Sequence, residues 1–331
     1  MHAHTVLPGL ALGTLTTTGD DMRYSPILAL SLLAALLLRP LPVAAQPSHE
    51  PLGPSILETG SEVVDTDRLT FPGPDGGTPY EIGILTPKGP APEDGFPVIF
   101  ALDGQAVLEL LTDDALAALP TLPVIVTLGY DTERRFAGDQ RTRDYTPPSG
   151  DGAPVVDPRG RAGGGAGAFL ALIQSEIVPR VERVAPIDMQ RSALWGHSYG
   201  GLFVLWAAGD PASPFSHYVT ASPSLWWDNG SLLPRIEAQV AAGHWPDRPL
   251  DLHHGGQERA RASMPDDPEA QKLVRMRSAL PEGALGALDE TLRGAGIPGS
   301  LTTFPGLSHG ETFRASIRAL LEGGFPEAAR R

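Results

Sequence analysis

A mainly parallel, eight-stranded α/β sheet with helices on both faces is the fold this sequence predicts, and three observations predict it. Short runs rich in Val, Ile and Leu alternate with longer helical patterns along the chain, the order expected where strands are joined by crossover helices. Several of the short runs are continuously apolar, as central strands covered on both faces must be. One of them, Ala193-Leu194-Trp195, passes through a glycine-framed turn directly into the apolar run Leu202-Phe203-Val204-Leu205-Trp206.

Residues 46–60 are rich in Pro and Ser and are expected to be a flexible lead-in to a single domain spanning 61–331. Strands are predicted at 68–71, 80–85, 97–102, 124–128, 192–195, 217–221, 249–253 and 301–304. Helices are predicted at 106–119, 166–184, 199–208, 230–242, 268–294 and 311–321. The fifth of these is expected to break or kink at Pro281, which removes a backbone donor and clashes with the preceding turn. Residues 130–167 interrupt the alternation with a long, polar, Gly- and Pro-rich stretch. A loop of that length in a compact domain is usually functional or disordered. Its Gly160–Gly167 portion has neither GxGxxG spacing after a strand nor a Walker Lys-Ser/Thr, which argues against a phosphate cradle.

Composition narrows the function classes. The 331 residues are 41% hydrophobic, enough for a sizeable core. Acidic residues number 39 against 25 basic, for a net charge of −14, and no Lys/Arg-rich block is present. Electrostatically driven binding of nucleic acid is therefore excluded as a reading. With no cysteine, there are no disulfides, thiolate metal sites or cysteine nucleophiles. Near the N-terminus, Met22-Arg23-Tyr24-Ser25-Pro26 precedes an apolar run over 27–38 and a small-residue end, Val43-Ala44-Ala45. That is the pattern of a signal peptide, with translation expected to start at Met22 and cleavage after Ala45. The apolar run is shorter than the about 20 residues a membrane span requires. Residues 1–45 are thus expected to be removed, leaving an exported, periplasmic protein with no stable membrane insertion; an uncleaved anchor is the alternative.

Chemistry enters at Gly196-His197-Ser198-Tyr199-Gly200, followed by Gly201. A strand before and a helix after are the context of a nucleophile elbow, in which small neighbours let strand and helix approach and the Ser198 hydroxyl is presented at a helix N-terminus. Ser198 needs a base, for which an imidazole has the suitable pKa. Of the nine histidines, His309 follows the final predicted strand and precedes the last helix, which is where the chain order Ser…acid…His of α/β-hydrolases puts the base. His197 is expected to point elsewhere. The acid to orient His309 is expected directly after the penultimate strand, at Glu258, with Asp228, Asp251, Asp266 and Asp267 as competitors. An oxyanion hole needs two backbone N–H groups. Tyr199 is one candidate, and Gln105, with Gly104 in reserve, is the other. No metal or organic cofactor is required by this chemistry.

Five segments together resemble a known family: 97–105 through Asp103-Gly104-Gln105, Arg143-Asp144-Tyr145-Thr146-Pro147, the elbow, Ser222-Pro223-Ser224-Leu225-Trp226-Trp227, and Gly255-Gly256-Gln257-Glu258. In order, over about 66–321, they are similar to the family named Putative esterase, and within it to the periplasmic esterases that open enterobactin and salmochelin trilactones. The resemblance implies the α/β-hydrolase fold, ester hydrolysis by Ser198 and His309, and a pocket near Arg143, Tyr145 and Trp226. A ferric or apo catecholate siderophore is then the expected small-molecule substrate. Trp226 and Trp227 would stack on catechol rings, and Arg134, Arg135, Arg141 and Arg143 would offset the repulsion that a −14 chain exerts on an anion. A carboxylesterase or thioesterase acting on simple acyl groups, and a non-catalytic binding protein on the same scaffold, are the alternatives.

Overall fold

The structure is a computed structural model, and it describes residues 52–259, 264 and 266–323. The expected signal segment and its cleavage point lie outside these residues. All the described residues belong to one compact unit, Ala45–Arg331.

Eight strands form one sheet: β1 Val64–Phe71, β2 Tyr80–Pro87, β3 Phe96–Leu102, β4 Val124–Tyr130, β5 Ile187–His197, β6 His217–Ala221, β7 Leu250–Gly255 and β8 Leu301–Phe304. Their spatial order is β1-β2-β4-β3-β5-β6-β7-β8. β1 pairs with β2, and β2 with β4, in antiparallel fashion; every pairing from β4 to β8 is parallel. Side chains alternate across the sheet. Val98, Phe100 and Leu102 of β3 join one hydrophobic cluster, while Ile99 and Ala101 join the one on the opposite face. That two-sided burial is the physical reason the central strands read as unbroken apolar runs.

The helices, in chain order, are α1 Ile56–Thr59, α2 Gly104–Leu108, α3 Asp113–Ala117, α4 Gly138–Tyr145, α5 Ala166–Leu172, α6 Val178–Val184, α7 Tyr199–Ala208, α8 Leu232–Ala241, α9 Pro268–Ala279, α10 Ala284–Gly294 and α11 His309–Gly323. α1 falls in the stretch expected to be a flexible lead-in. There Ser55 and Glu58 form a capping box and Ile56 is buried. The predicted helix over 106–119 is two helices, because the Thr112 hydroxyl accepts from the Ala115 N–H and starts a new one. Between α5 and α6 a wider π turn spans Ile173–Ile177 and absorbs Pro179, which cannot donate to a regular ladder. The break near Pro281 separates α9 from α10 as expected.

The expectation of a plain loop over 130–167 is corrected by α4. Its sequence, Gly-Asp-Gln-Arg-Thr-Arg-Asp-Tyr, has no apolar stripe, so hydrophobic periodicity cannot reveal it. Polar pairing supplies its burial: Arg141 grips Asp103 through Nε and Nη2, both at 2.8 Å, and Asp144, paired with Arg143 of the same helix at 2.7 and 2.8 Å, accepts from the Tyr130 hydroxyl at 3.0 Å.

α7 is apolar all round and buried except at Trp206, so it is the central helix on its face of the sheet. Its approach to β5 and β6 depends on glycine. A Cβ on Gly201 would lie 2.6 Å from the Ala221 carbonyl oxygen and 3.2 Å from that of Gly196. Gly201→Ala is expected to lower the free energy of unfolding by about 1–3 kcal/mol, the usual cost of overpacking. The control Gly286→Ala, at a helical position with nothing within 4 Å, is expected to be neutral or stabilising by up to about 1 kcal/mol. Urea denaturation of both variants measures the difference.

Candidate active site

At the C-terminal edge of the sheet, three neighbouring strands end in non-glycine residues of positive φ: Asp103 after β3 (57°), Ser198 after β5 (62°) and Ser222 after β6 (46°). Each such residue costs roughly 1–3 kcal/mol and persists only where its surroundings over-determine it. The surroundings do so here. The Ser198 N–H donates to the Ala221 carbonyl at 2.9 Å, and the Ser198 carbonyl accepts from Leu202 and Ser224. The Ser222 N–H donates to the His253 carbonyl at 2.7 Å. Asp103 is held by Arg141, and its N–H donates to the Tyr145 hydroxyl at 3.2 Å.

Ser198 and His309 meet across the sheet edge, with Oγ 3.1 Å from Nε2. Nδ1 of the same ring lies 3.3 Å from Oε2 of Glu258. Oε1 of Glu258 accepts from the Ser222 hydroxyl at 2.5 Å and from the Gly255 N–H at 2.6 Å. Burial works to raise the Glu258 pKa, but the hydrogen bond and charge of His309, then the Ser222 and Gly255 donors, bring it down to about 2. The carboxylate is therefore ionised and its Oε2 is aimed at the imidazole. His309 has its pKa lowered, first by burial and then by the Arg277 cation, against the pull of Glu258. A neutral imidazole with a proton on Nδ1 and a lone pair on Nε2 results. The competing acid Asp251 is engaged elsewhere, 2.7 Å from His217.

Local structure explains how His309 arrives. It is the first residue of α11, and the turn before it is closed by Ser308, whose N–H and hydroxyl both donate to Glu311 (2.8 and 2.6 Å). Two contacts escape the sequence. His197, read as pointing elsewhere, donates from Nε2 to the His309 carbonyl at 2.8 Å and packs its ring 4.6 Å from the His309 ring. Burial and the neighbouring imidazole push the His197 pKa well below the usual value, so it serves as a neutral buttress. The Ser224 hydroxyl lies 3.2 Å from the Ser198 Oγ. Nothing local marks either residue for this use, since both contacts arise where loops from different strands converge.

Tyr199 begins α7, and Gln105 lies in the first turn of α2, where N–H groups precede the helical ladder. The Asp103 carbonyl takes the N–H groups of Ala106 and Val107, and the Gln105 side chain bridges to the backbone N–H and carbonyl of Tyr130. The first turn of α2 is thereby fixed beside β4.

The expected substrate-binding residues fare differently. Tyr145 is fully buried and supports Asp103 from beneath, so it is corrected from a substrate contact to a strut. Trp226 and Trp227 are 6% and 2% exposed. Trp227 donates to the Pro147 carbonyl at 3.1 Å, and both rings pack on Tyr199. They are core residues, and the expectation of two open stacking platforms is corrected. Arg143 lines a cleft of about 460 Å³ with Arg159 and Arg161, but its guanidinium is committed to Asp144. Arg135 is similarly paired with Glu109. Among the described residues no helix is long and apolar enough to cross a membrane, and no group of three His, Cys, Asp or Glu could hold a metal.

A serine on a strained strand-to-helix turn, backed by an imidazole that rests on a carboxylate at the edge of a mainly parallel sheet, places this chain in the α/β-hydrolase class. Comparison with known proteins makes the class particular. The chain belongs to the family described as Putative esterase, whose sequence model matches residues 75–321. It is 35% identical over 288 residues to the Apo-salmochelin esterase of Escherichia coli O6:H1, covering 84% of this chain and 85% of that protein. It is 32% identical over 185 residues to the Ferri-bacillibactin esterase BesA of Bacillus subtilis, covering 52% and 63%. In three dimensions it is similar to the Enterobactin and Salmochelin Hydrolase IroE, with a TM-score of 0.63 and 31% identity over 81% of this chain and 98% of the other.

The pairing of Arg141 with Asp103 carries a stability prediction. Arg141→Met leaves a buried carboxylate uncompensated and is expected to cost about 3–5 kcal/mol. The double variant Arg141→Met/Asp103→Asn is expected to recover part of that loss, as a denaturant double-mutant cycle would measure.

Proposed function

We propose that this chain is a serine esterase that hydrolyses the ester bonds of a catecholate siderophore lactone, and that it works in an exported, periplasmic form lacking residues 1–45. The observation that carries the chemistry is the continuous line from Ser198 Oγ to His309 Nε2 (3.1 Å) and from Nδ1 to Glu258 (3.3 Å). The substrate class is supported by the siderophore esterases among its relatives.

In the proposed sequence, His309 Nε2 takes the Ser198 proton as Oγ attacks the ester carbonyl. The negative charge moves onto the carbonyl oxygen, where the N–H groups of Tyr199 and Gln105 receive it. Glu258 holds the Nδ1 proton and stabilises the imidazolium that forms. That imidazolium then gives its Nε2 proton to the departing alkoxide, leaving an acyl-Ser198. Water repeats the steps in reverse: His309 deprotonates it, the acyl group leaves as carboxylic acid, and the Ser198 hydroxyl is restored. Apart from the ester and the water, the groups in this scheme are side chains and backbone N–H groups of the chain.

Because His309 must be neutral to accept a proton and its pKa lies below the ordinary 6.5, the acid limb of kcat/KM is expected below pH 6.5, with activity falling as pH drops through it. Glu258→Gln removes both the tautomer control and the countercharge, and is expected to reduce kcat on the order of 10³–10⁴-fold. A fluorophosphonate probe is expected to label wild-type protein but not Ser198→Ala; absence of wild-type labelling overturns the nucleophile assignment. Hydrolysis of enterobactin compared with p-nitrophenyl butyrate tests the substrate, and turnover of the butyrate alone would defeat the siderophore reading.

A further inference from the structure

One buried hydroxyl stands on the nucleophile without a part in the mechanism above. Ser224 is 1% exposed, and its Oγ lies 3.2 Å from the Oγ of Ser198. Its backbone is fixed to the same residue: the Ser224 N–H donates to the Ser198 carbonyl at 3.0 Å, and the Ser224 carbonyl accepts from the Trp227 N–H at 3.0 Å. Other buried hydroxyls donate to backbone carbonyls: Thr220 to Gly201, Ser192 to Met189 and Thr146 to Thr142, each at 2.7 Å. Among the described residues, the Ser224 hydroxyl meets no carbonyl or carboxylate, and its one partner is the nucleophile. A buried polar group placed in this way calls for an explanation.

The available protons fix the direction of this contact. With the Nδ1 proton of His309 directed at Glu258, the lone pair of the ring is on Nε2, 3.1 Å from Ser198 Oγ. The single Ser198 proton points there, so between the two hydroxyls Ser198 accepts and Ser224 donates. A hydroxyl oxygen has one proton and two lone pairs. Around Ser198 Oγ, Cβ takes one direction, the proton bound for His309 a second, and the Ser224 donor a third. The fourth, the remaining lone pair, is left to meet the ester carbon. The turn that presents Ser224 is strained at Ser222, with φ 46°, and the Ser222 hydroxyl donates to Glu258. One turn after β6 thus sets a donor at each end of the Ser198–His309–Glu258 line.

We propose that Ser224 is a further catalytic residue. Its hydroxyl donates to Ser198 Oγ, aims the free lone pair at the scissile carbonyl, and stabilises the negative charge that Oγ carries as its proton leaves. The inference rests on the Ser198–His309 reading above and adds one group to it. In acylation the Ser198 proton passes to His309 Nε2, Oγ bonds to the carbonyl carbon, and the carbonyl π pair moves to its own oxygen. Ser224 keeps its proton throughout. In deacylation the same Oγ is the leaving group, and the Ser224 donor supports it until the imidazolium returns the proton. A hydrogen bond to a charged oxygen is stronger than one to a neutral hydroxyl, so the contact contributes more in the transition state than at rest. The N–H groups of Tyr199 and Gln105 serve a different atom, the carbonyl oxygen.

The test follows both half-reactions at Ser198. A fluorophosphonate gives the maximal labelling rate and the half-saturating probe concentration, and p-nitrophenyl butyrate gives kcat and KM. Ser224→Ala is expected to lower the maximal labelling rate and kcat by about tenfold to hundredfold, the worth of one hydrogen bond to a charged group. Half-saturation and KM are expected to stay near wild type, because acylation and deacylation slow together. The pair Ser224→Thr and Ser224→Val repeats the comparison at one side-chain shape, and Thr, which keeps the donor, is expected to be the faster by about tenfold. Rates for Ser224→Ala within about twofold of wild type overturn the proposal, as does a Thr variant no faster than the Val variant. A loss confined to half-saturation and KM also overturns it, since a packing role weakens binding without changing the reactivity of Oγ. If wild-type protein itself resists the fluorophosphonate, the Ser198–His309 reading fails; if wild type is labelled and Ser224→Ala is labelled as fast, only the role of Ser224 falls.

Discussion

Ser198 sits at φ 62° and ψ −113°, in backbone space that residues with side chains avoid, and the rest of the structure is arranged to keep it there. β5 ends at His197 and α7 begins at Tyr199, so one residue turns the chain from strand to helix. That turn closes only if strand and helix nearly touch. A Cβ on Gly196 would lie 2.5 Å from the Gly200 carbonyl oxygen, and α7 is buried along its length except at Trp206. The conformational cost of the turn is offset by the packing of the most central helix in the fold.

The same edge holds the other two strained residues, and each is tied to a functional neighbour. Asp103 opens α2, the helix that carries Gln105, and is gripped by Arg141. Ser222 donates to the carboxylate of Glu258. Strain at one strand end is thus linked to the position of the next group in the relay. Glu258 restrains His309 through Nδ1, and His197 restrains its backbone carbonyl. The imidazole is left with its Nε2 side facing Ser198 and Arg277.

Charge at this edge is mostly internal. The arginines of the 130–167 segment, which on a count of residues resemble a patch for anions, largely neutralise carboxylates of their own fold. Arg141 anchors α4 to Asp103 and Asp144 accepts from the Tyr130 hydroxyl, which holds in place a helix without an apolar stripe. Arg135, Arg141 and Arg143 are each committed to a carboxylate of the chain itself.

Much of the fold was legible in the residues because its signals are local. The eight strands overlap the eight expected segments, the break near Pro281 follows from a missing donor, and the elbow with Ser198 is written in five consecutive residues. The order of Ser198, Glu258 and His309 along the chain also follows from local context, each lying in the connection that follows a strand. Tertiary structure decided what depends on distant segments. It buried Tyr145, Trp226 and Trp227, which the family resemblance suggests as substrate contacts. It gave Arg141 to Asp103, put His197 behind His309 and brought Arg277 to Nε2. An apolar period or a tight turn is a property of neighbouring residues, whereas the partner of a charge is set by which loops converge at the sheet edge. In this protein the sequence alone marks the groups proposed to react, and the packing determines which partner each charge meets.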